Sequence, residues 1–139
     1  MKLYQFGPEV GRQITHFESK FVMTPLVRIA DDGPGGTTSG ADAPAPGAWV
    51  ARPGVRIGAM HIGPGGVVGF HQATVPQLFV VVAGEGWVRG PEAERTPIRP
   101  YQAAFWTAGE WHESGSDTGM TALAIEGDGV DPAPFMSEI

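Results

Sequence analysis

Apolar residues occur along the chain in short runs that are separated by glycine, proline and polar residues. The longest run, residues 78–82, consists of Leu, Phe and Val and predicts a buried strand over residues 77–83. The sequence AGEG at residues 83–86 predicts a tight hairpin after this strand. No helical spacing of apolar residues is sustained, and further strands are predicted at residues 55–62, 67–72, 87–89, 102–106, 111–113 and 121–126. Many short strands with turns between them are typical of a β-sandwich or barrel.

The chain before residue 55 has an apolar part followed by a polar stretch. Residues 14–17 and 21–29 are apolar and are predicted as N-terminal strands. Pro25 interrupts the second segment, and because proline cannot donate a backbone hydrogen bond, we expect this strand at a sheet edge. Residues 31–48 contain no large apolar residue and predict an exposed loop.

Glycine and proline are unusually frequent, with 21 Gly and 13 Pro in 139 residues. This alone would also suit a disordered chain, but 42% of the residues are hydrophobic, which disordered chains lack. The length suits one domain over residues 1–139, with a core barrel at about residues 49–127.

The charge pattern excludes several classes of function. The net charge is -6 and the arginines are scattered, so no basic stripe is available to follow a nucleic-acid backbone. The absence of cysteine excludes disulfides and thiolate chemistry. No apolar run has the length of a membrane span, and the N-terminus does not resemble a signal peptide. We therefore expect a cytoplasmic protein that binds neither nucleic acid nor membrane.

Two sequence blocks, residues 65–84 and 101–112, carry most of the functional signal. In the first, Gly65 precedes His71 by five intervening residues, and Gln77 precedes Gly84 by six. The second ends in the sequence AGEWH, with His112 as its last residue. This spacing resembles the two motifs of the cupin superfamily. The resemblance implies an all-β, double-stranded β-helix or jelly-roll barrel with a pocket inside it.

The same resemblance exposes an incomplete set of metal ligands. Metal-binding cupins use three His and one Glu that face into the barrel. His71 and His112 occupy the first and last His positions, whereas Ala73 stands in place of the second His and Gln77 in place of the Glu. Three other motif positions differ, where Gly, Pro and Asn are replaced by Tyr101, Thr107 and Ser116.

Side-chain chemistry limits what the remaining candidates can bind. Neutral imidazole is a good ligand for divalent transition metals, but alanine has no donor atom and glutamine offers only a neutral carbonyl oxygen. We therefore take His71, Gln77 and His112 as the candidate metal ligands, for Zn, Fe, Ni, Mn or Cu, and expect weak affinity. His61 could compensate only if its face of the preceding strand points inward. It shares that face with Ile57 and Ala59.

Three functions remain open. The first is a cupin-type small-molecule-binding protein, with an aromatic and polar pocket formed by His71, Gln77, His112, Phe79 and Trp106. The second is a metal-dependent enzyme, such as a dioxygenase, isomerase or cyclase, acting on a small metabolite. The third is a non-catalytic structural or sensory barrel packed shut by its side chains. We also expect a homodimer through the N-terminal edge strand. Arg89 and Glu126 could form an ion pair at the rim, although surface ion pairs usually contribute little stability.

Overall fold

The computed structural model describes residues 1–30 and 54–139. Within these ranges the chain forms strands and two short 3-10 turns, Pro8–Val10 and His16–Glu18. The strands are β1 Arg12–Ile14, β2 Phe21–Ala30, β3 Gly54–Ile62, β4 Gly66–Gln72, β5 Gln77–Gly84, β6 Gly86–Arg89, β7 Thr96–Ile98, β8 Ala103–Trp106, β9 Trp111–Ser116 and β10 Met120–Glu126. The predicted loop at residues 31–48 lies outside the described residues, as does the start of the predicted core barrel.

The strands form two antiparallel sheets. One has the order β1-β2-β3-β10-β5-β8 and the other has the order β4-β9-β6-β7. Apart from β1, β2 and β3 in one sheet and β6 and β7 in the other, neighbouring strands are far apart in sequence, so the chain crosses repeatedly between the two sheets. The apolar faces of the sheets meet in one core, which contains Phe21, Met60, Ile62, Val68, Ala73, Phe79, Val81, Val88, Ile98, Trp106, Met120, Ala122 and Ala124. The predicted all-β jelly-roll architecture is confirmed.

Strand β10 shows how the sequence sets the inner face of the barrel. It pairs with β3 on one side and with β5 on the other. Met120, Ala122 and Ala124 are buried, whereas the residues between them are partly exposed. Successive side chains on a strand point to opposite faces. The next residue in the inward series is therefore Glu126, a carboxylate at the end of the strand.

Two expectations for the N-terminal region need correction. Residues 14–17 do not form a strand, because the chain turns at His16–Glu18, where Phe17 and Glu18 have φ angles of 55° and 59°. Strand β2 is not the outermost strand, since β1 pairs with it. That pairing covers only Phe21–Met23, so no described strand covers the outer edge of β2 around Pro25.

The expected hairpin at residues 83–86 is also wrong. β5 pairs with β10 and β8, whereas β6 belongs to the other sheet, so this turn carries the chain from one sheet to the other. The short strand β7 was not predicted from the sequence. Its central residue is a proline, and it pairs only with β6 at the end of the smaller sheet.

The motif positions occupied by glycine lie at turns that require a left-handed backbone. Gly65, Gly84 and Gly109 have φ angles of 67°, 71° and 92°. Tyr101 stands where the motif has glycine and keeps the same conformation, with a φ angle of 74°. Its side chain is fully exposed. The backbone geometry of the motif is thus retained at this position although a bulky residue occupies it.

Candidate functional site

His71 and His112 lie side by side in the smaller sheet. They are directly paired residues on β4 and β9, and their ring centroids are 4.3 Å apart. The register between the two strands shifts between Val68 and His71, which marks an irregularity in β4 just before the histidine. The two histidines that match the motif are therefore brought together, as the sequence predicts.

The backbone sets the orientation of both imidazole rings. Nδ1 of His71 lies 2.6 Å from the carbonyl oxygen of Gly69, and Nδ1 of His112 lies 3.4 Å from that of Glu110. A carbonyl oxygen only accepts a hydrogen bond, so each Nδ1–H is the donor. In the neutral ring, Nε2 then carries the lone pair. This arrangement leaves both Nε2 atoms available as acceptors.

His112 is the most deeply buried polar group of the site, with 1% of its surface exposed. Its Nε2 has no hydrogen-bond partner among the described residues. Burial lowers the pKa of His112 from 6.5 to about 4, and the positive charge that His71 can carry acts in the same direction. At neutral pH, His112 is therefore an uncharged ring that presents a buried acceptor.

Gln77 reaches the site from the larger sheet. It is buried, and β5 pairs it with Trp106 of β8. The Trp106 ring stacks on His112, with centroids 4.2 Å apart and an angle of 17°. Phe79 lies against Trp106 at 6.1 Å and belongs to the core, so it supports the site from behind. Ala73 is buried in the core, where it places a methyl group and no ligand atom.

A charged pair at the same level of the barrel was missed by the sequence reasoning. On β10, Glu126 pairs with Arg56 of β3 on one side and with Gln77 of β5 on the other. The Arg56 guanidinium lies 3.5 Å from the Glu126 carboxylate. Arg56, Glu126, Gln77 and Trp106 therefore form one row across four strands of the inner face. The sequence does contain a sign of this pair. Buried and partly exposed residues alternate along β10, and this alternation places Glu126 on the same face as Met120, Ala122 and Ala124.

Glu126 interacts with both walls of the barrel. Burial raises the pKa of its carboxyl, whereas the positive charges of Arg56 and of His71 oppose that shift. Glu126 continues the inward-facing series of β10, so its carboxylate lies on the inner side of the larger sheet. The predicted rim pair between Arg89 and Glu126 is wrong, because Arg89 pairs with Glu113 and Glu126 pairs with Arg56.

Phe17 forms the outer boundary of the site. Its ring stacks on His71 with centroids 5.5 Å apart and an angle of 10°, and 60% of its surface is exposed. The turn that carries it is fastened to β4, because the Ser19 hydroxyl accepts a hydrogen bond from the Gly69 amide. A Cβ atom on Gly69 would collide with the Phe17 carbonyl oxygen, so this close approach needs glycine. An array of rings therefore runs from Phe17 through His71 and His112 to Trp106.

The remaining candidates lie outside this site. His61 lies on the outer face of β3, where its Nε2 donates to the Phe6 carbonyl oxygen at 3.0 Å, so it does not replace the missing ligand. Glu113 points away from its neighbour His112, as predicted. Two surface clefts of about 680 and 510 Å³ lie at the opposite end of the barrel, and His71, Gln77 and His112 line neither of them.

The donor set matches a divalent metal only in part. Two imidazole acceptors face inward, which suits a metal ion. However, no group of three or more His, Cys, Asp or Glu side chains within residues 1–30 and 54–139 is placed to hold one. Gln77 would add a neutral oxygen, and the Glu126 carboxylate is not close enough to the two histidines to complete a set of three ligands. The described residues therefore fall short of a complete metal site.

The chain is similar in structure to known proteins, although its sequence is not. No known protein-family profile matches the chain, and no curated protein matches it either. Among solved structures, the chain is similar to a cupin 2 conserved barrel domain protein from Salinispora arenicola, with a TM-score of 0.62 and 13% identity over 93% of this chain and 90% of that one.

Two structures from Thermotoga maritima show the same likeness. One is a cupin-like protein, with a TM-score of 0.62 and 11% identity over 93% of this chain and 83% of that one. The other is a predicted oxalate decarboxylase, with a TM-score of 0.58 and 19% identity over 88% of this chain and 96% of that one. The chain therefore has the cupin fold, and identities this low concern the fold alone. In the part of the chain that the structure describes, no helix is long and apolar enough to cross a membrane.

Proposed function

We propose that this chain is a cupin-type small-molecule-binding protein whose ligand contacts His71, Gln77 and His112 inside the barrel. The observation that carries the proposal is the buried Nε2 of His112, which has no partner among the described residues. A buried acceptor left without a hydrogen bond costs about 1–3 kcal/mol. A ligand that donates an O–H or N–H group to this atom would offset that cost.

The burial of the site limits where such a ligand sits. Gln77, His112 and Trp106 are almost fully buried, so side chains fill the deep part of the barrel. His71 and Glu126 are more open, with 29% of the Glu126 side chain exposed. We therefore expect the ligand to enter from the end of the barrel that carries these two residues.

The experiment compares a histidine inside the barrel, His112, with a histidine on the outer face of β3, His61. Untagged protein is examined by native mass spectrometry for a co-purifying compound, and by thermal shift against a metabolite library. His112→Phe removes the acceptor but keeps a ring against Trp106, whereas His61→Phe changes a histidine on the outer face. We expect ligand binding to be lost in the first variant and kept in the second. Equal binding by both variants would contradict the proposal.

A metal-dependent enzyme is the second candidate, and the orientation of the two rings favours it. Backbone carbonyls hold Nδ1 of both histidines, as is common for histidines that bind a metal through Nε2. Elemental analysis of untagged protein tests this candidate. A stoichiometric metal that is absent from His71→Ala would support it, whereas no bound metal after loading would exclude it. If the protein binds neither a ligand nor a metal, the third function would remain, which is a non-catalytic barrel packed shut by its side chains.

A further inference from the structure

The charged row of the larger sheet adds a recognition group to the proposed site. Glu126 is next to Gln77 in the sheet, at the position on β10 that pairs with it. The cupin motif places a carboxylate at position 77, which this chain lacks. Glu126 supplies a carboxylate on the adjacent strand and at the same level of the barrel.

The exposed fractions decide which member of the ion pair a ligand meets. The Arg56 side chain is 8% exposed, whereas the Glu126 side chain is 29% exposed. The carboxylate is therefore the more accessible member of the pair, and the guanidinium, 3.5 Å away, holds it in place. A molecule at this pair has more access to the negative group than to the positive one.

The other polar atoms of the site are also mainly acceptors. The Nε2 atoms of His71 and His112 offer lone pairs, because both Nδ1 atoms donate to backbone carbonyls. Gln77 makes no side-chain hydrogen bond to another described residue, and its amide supplies both a donor and an acceptor. Apart from the Arg56 guanidinium, which pairs with Glu126, the polar atoms of the site are mainly acceptors, and such a site is complementary to a ligand that donates N–H groups.

We propose that Glu126, held by Arg56, is the charged recognition residue of this site, and that the ligand is an organic cation with N–H donors, such as an ammonium or amidinium. The inference rests on the proposed function and specifies its ligand class. The Phe17 ring, which stacks on His71 and is 60% exposed, offers a flat surface beside the histidines, which favours a cation attached to a planar group. The carboxylate pairs with the cationic group, and the histidine acceptors bind the remaining N–H donors.

Three probes that share a benzene ring but differ in charge test this inference. Benzylamine, benzyl alcohol and benzoate are titrated into the full chain, and the ring signals of His71 and His112 are followed by NMR. We expect benzylammonium to bind at least about tenfold more tightly than benzoate. Glu126→Gln should lower benzylammonium affinity about tenfold, because a charge-assisted hydrogen bond is replaced by a neutral one, and should leave benzyl alcohol unchanged.

Two further variants make the result specific. Glu113→Gln removes a carboxylate that pairs with an arginine on the outer face, so it is the matched control and should bind all three probes like the wild type. Gln77→Glu, combined with Glu126→Gln, returns a carboxylate to the neighbouring strand and should restore binding of benzylammonium. This combination keeps the test decisive if Glu126→Gln alone is unstable.

The outcomes separate this inference from the proposed function. Binding of benzoate equal to that of benzylammonium, or an unchanged affinity in Glu126→Gln, would overturn the role of Glu126 while leaving a small-molecule site. No response of either histidine to any of the three probes would overturn the proposed function, and this inference with it.

Discussion

Burial of His112 should make the stability of the protein depend on pH in a defined direction. Burial lowers its pKa to about 4 in the folded chain, from the 6.5 that is ordinary for histidine in an unfolded chain. Between these values the unfolded chain binds more protons than the folded chain, so stability falls as the pH falls. The full difference of about 2.5 pKa units corresponds to about 3 kcal/mol. Between pH 7 and pH 5, about 2 kcal/mol of this should be lost.

The assay is urea unfolding of the wild type and of His112→Phe at several pH values in this range. The phenyl ring keeps the contact with Trp106 but does not titrate, so the free energy of unfolding of the variant should fall less steeply with decreasing pH. Titration of Glu126, whose pKa is shifted upward, affects both proteins and largely cancels in the difference. His112→Gln, which does not titrate but packs differently, should show the same pH-dependent difference from the wild type.

Parallel stability curves for the wild type and both variants between pH 7 and pH 5 would refute this reasoning. The NMR titration of the His112 ring gives an independent check, with a midpoint expected near pH 4. A midpoint near 6.5 would mean that the ring is solvated and that the buried acceptor does not exist. In that case the buried, unpartnered Nε2 of His112 would no longer support the proposal of ligand binding.

Three further predictions concern the backbone and assembly. Tyr101→Gly should raise the free energy of unfolding by about 1 kcal/mol, because Tyr101 has a φ angle of 74° and an exposed side chain; a lower unfolding midpoint in urea would contradict this. Gly69→Ala should cost about 1–3 kcal/mol and shift the His71 ring signal, since the added Cβ displaces the Phe17 turn. Gly63→Ala, where nothing lies within 4 Å of the added Cβ, is its control and should show neither effect. The expected homodimer would use the outer edge of β2, so light scattering should give the mass of two chains, and the mass of one chain would refute it.

Much of the fold was predictable from residue order alone. Continuous apolar runs bounded by glycine and proline located β3, β4, β5, β8 and β10, because local patterning decides which segments are extended. The spacing of Gly65, Gly84 and Gly109 identified three turns, and in the structure each of these glycines has a left-handed backbone. The same spacing indicated His71 and His112 as candidate site residues, and the structure places these two side by side.

Only the tertiary structure decided which strands are neighbours and therefore which side chains share the interior. The turn at residues 83–86 has the composition of a hairpin, yet β5 and β6 belong to different sheets, because β5 pairs with β8 and β10 whereas β6 pairs with β7 and β9. Arg56 and Glu126 are 70 residues apart, and it is the pairing of β10 with both β3 and β5 that places Glu126 between Arg56 and Gln77. The sequence therefore determined the extended segments and the histidine pair. The packing of distant strands determined the charged group that faces the pair, since strand neighbours are selected by long-range contacts.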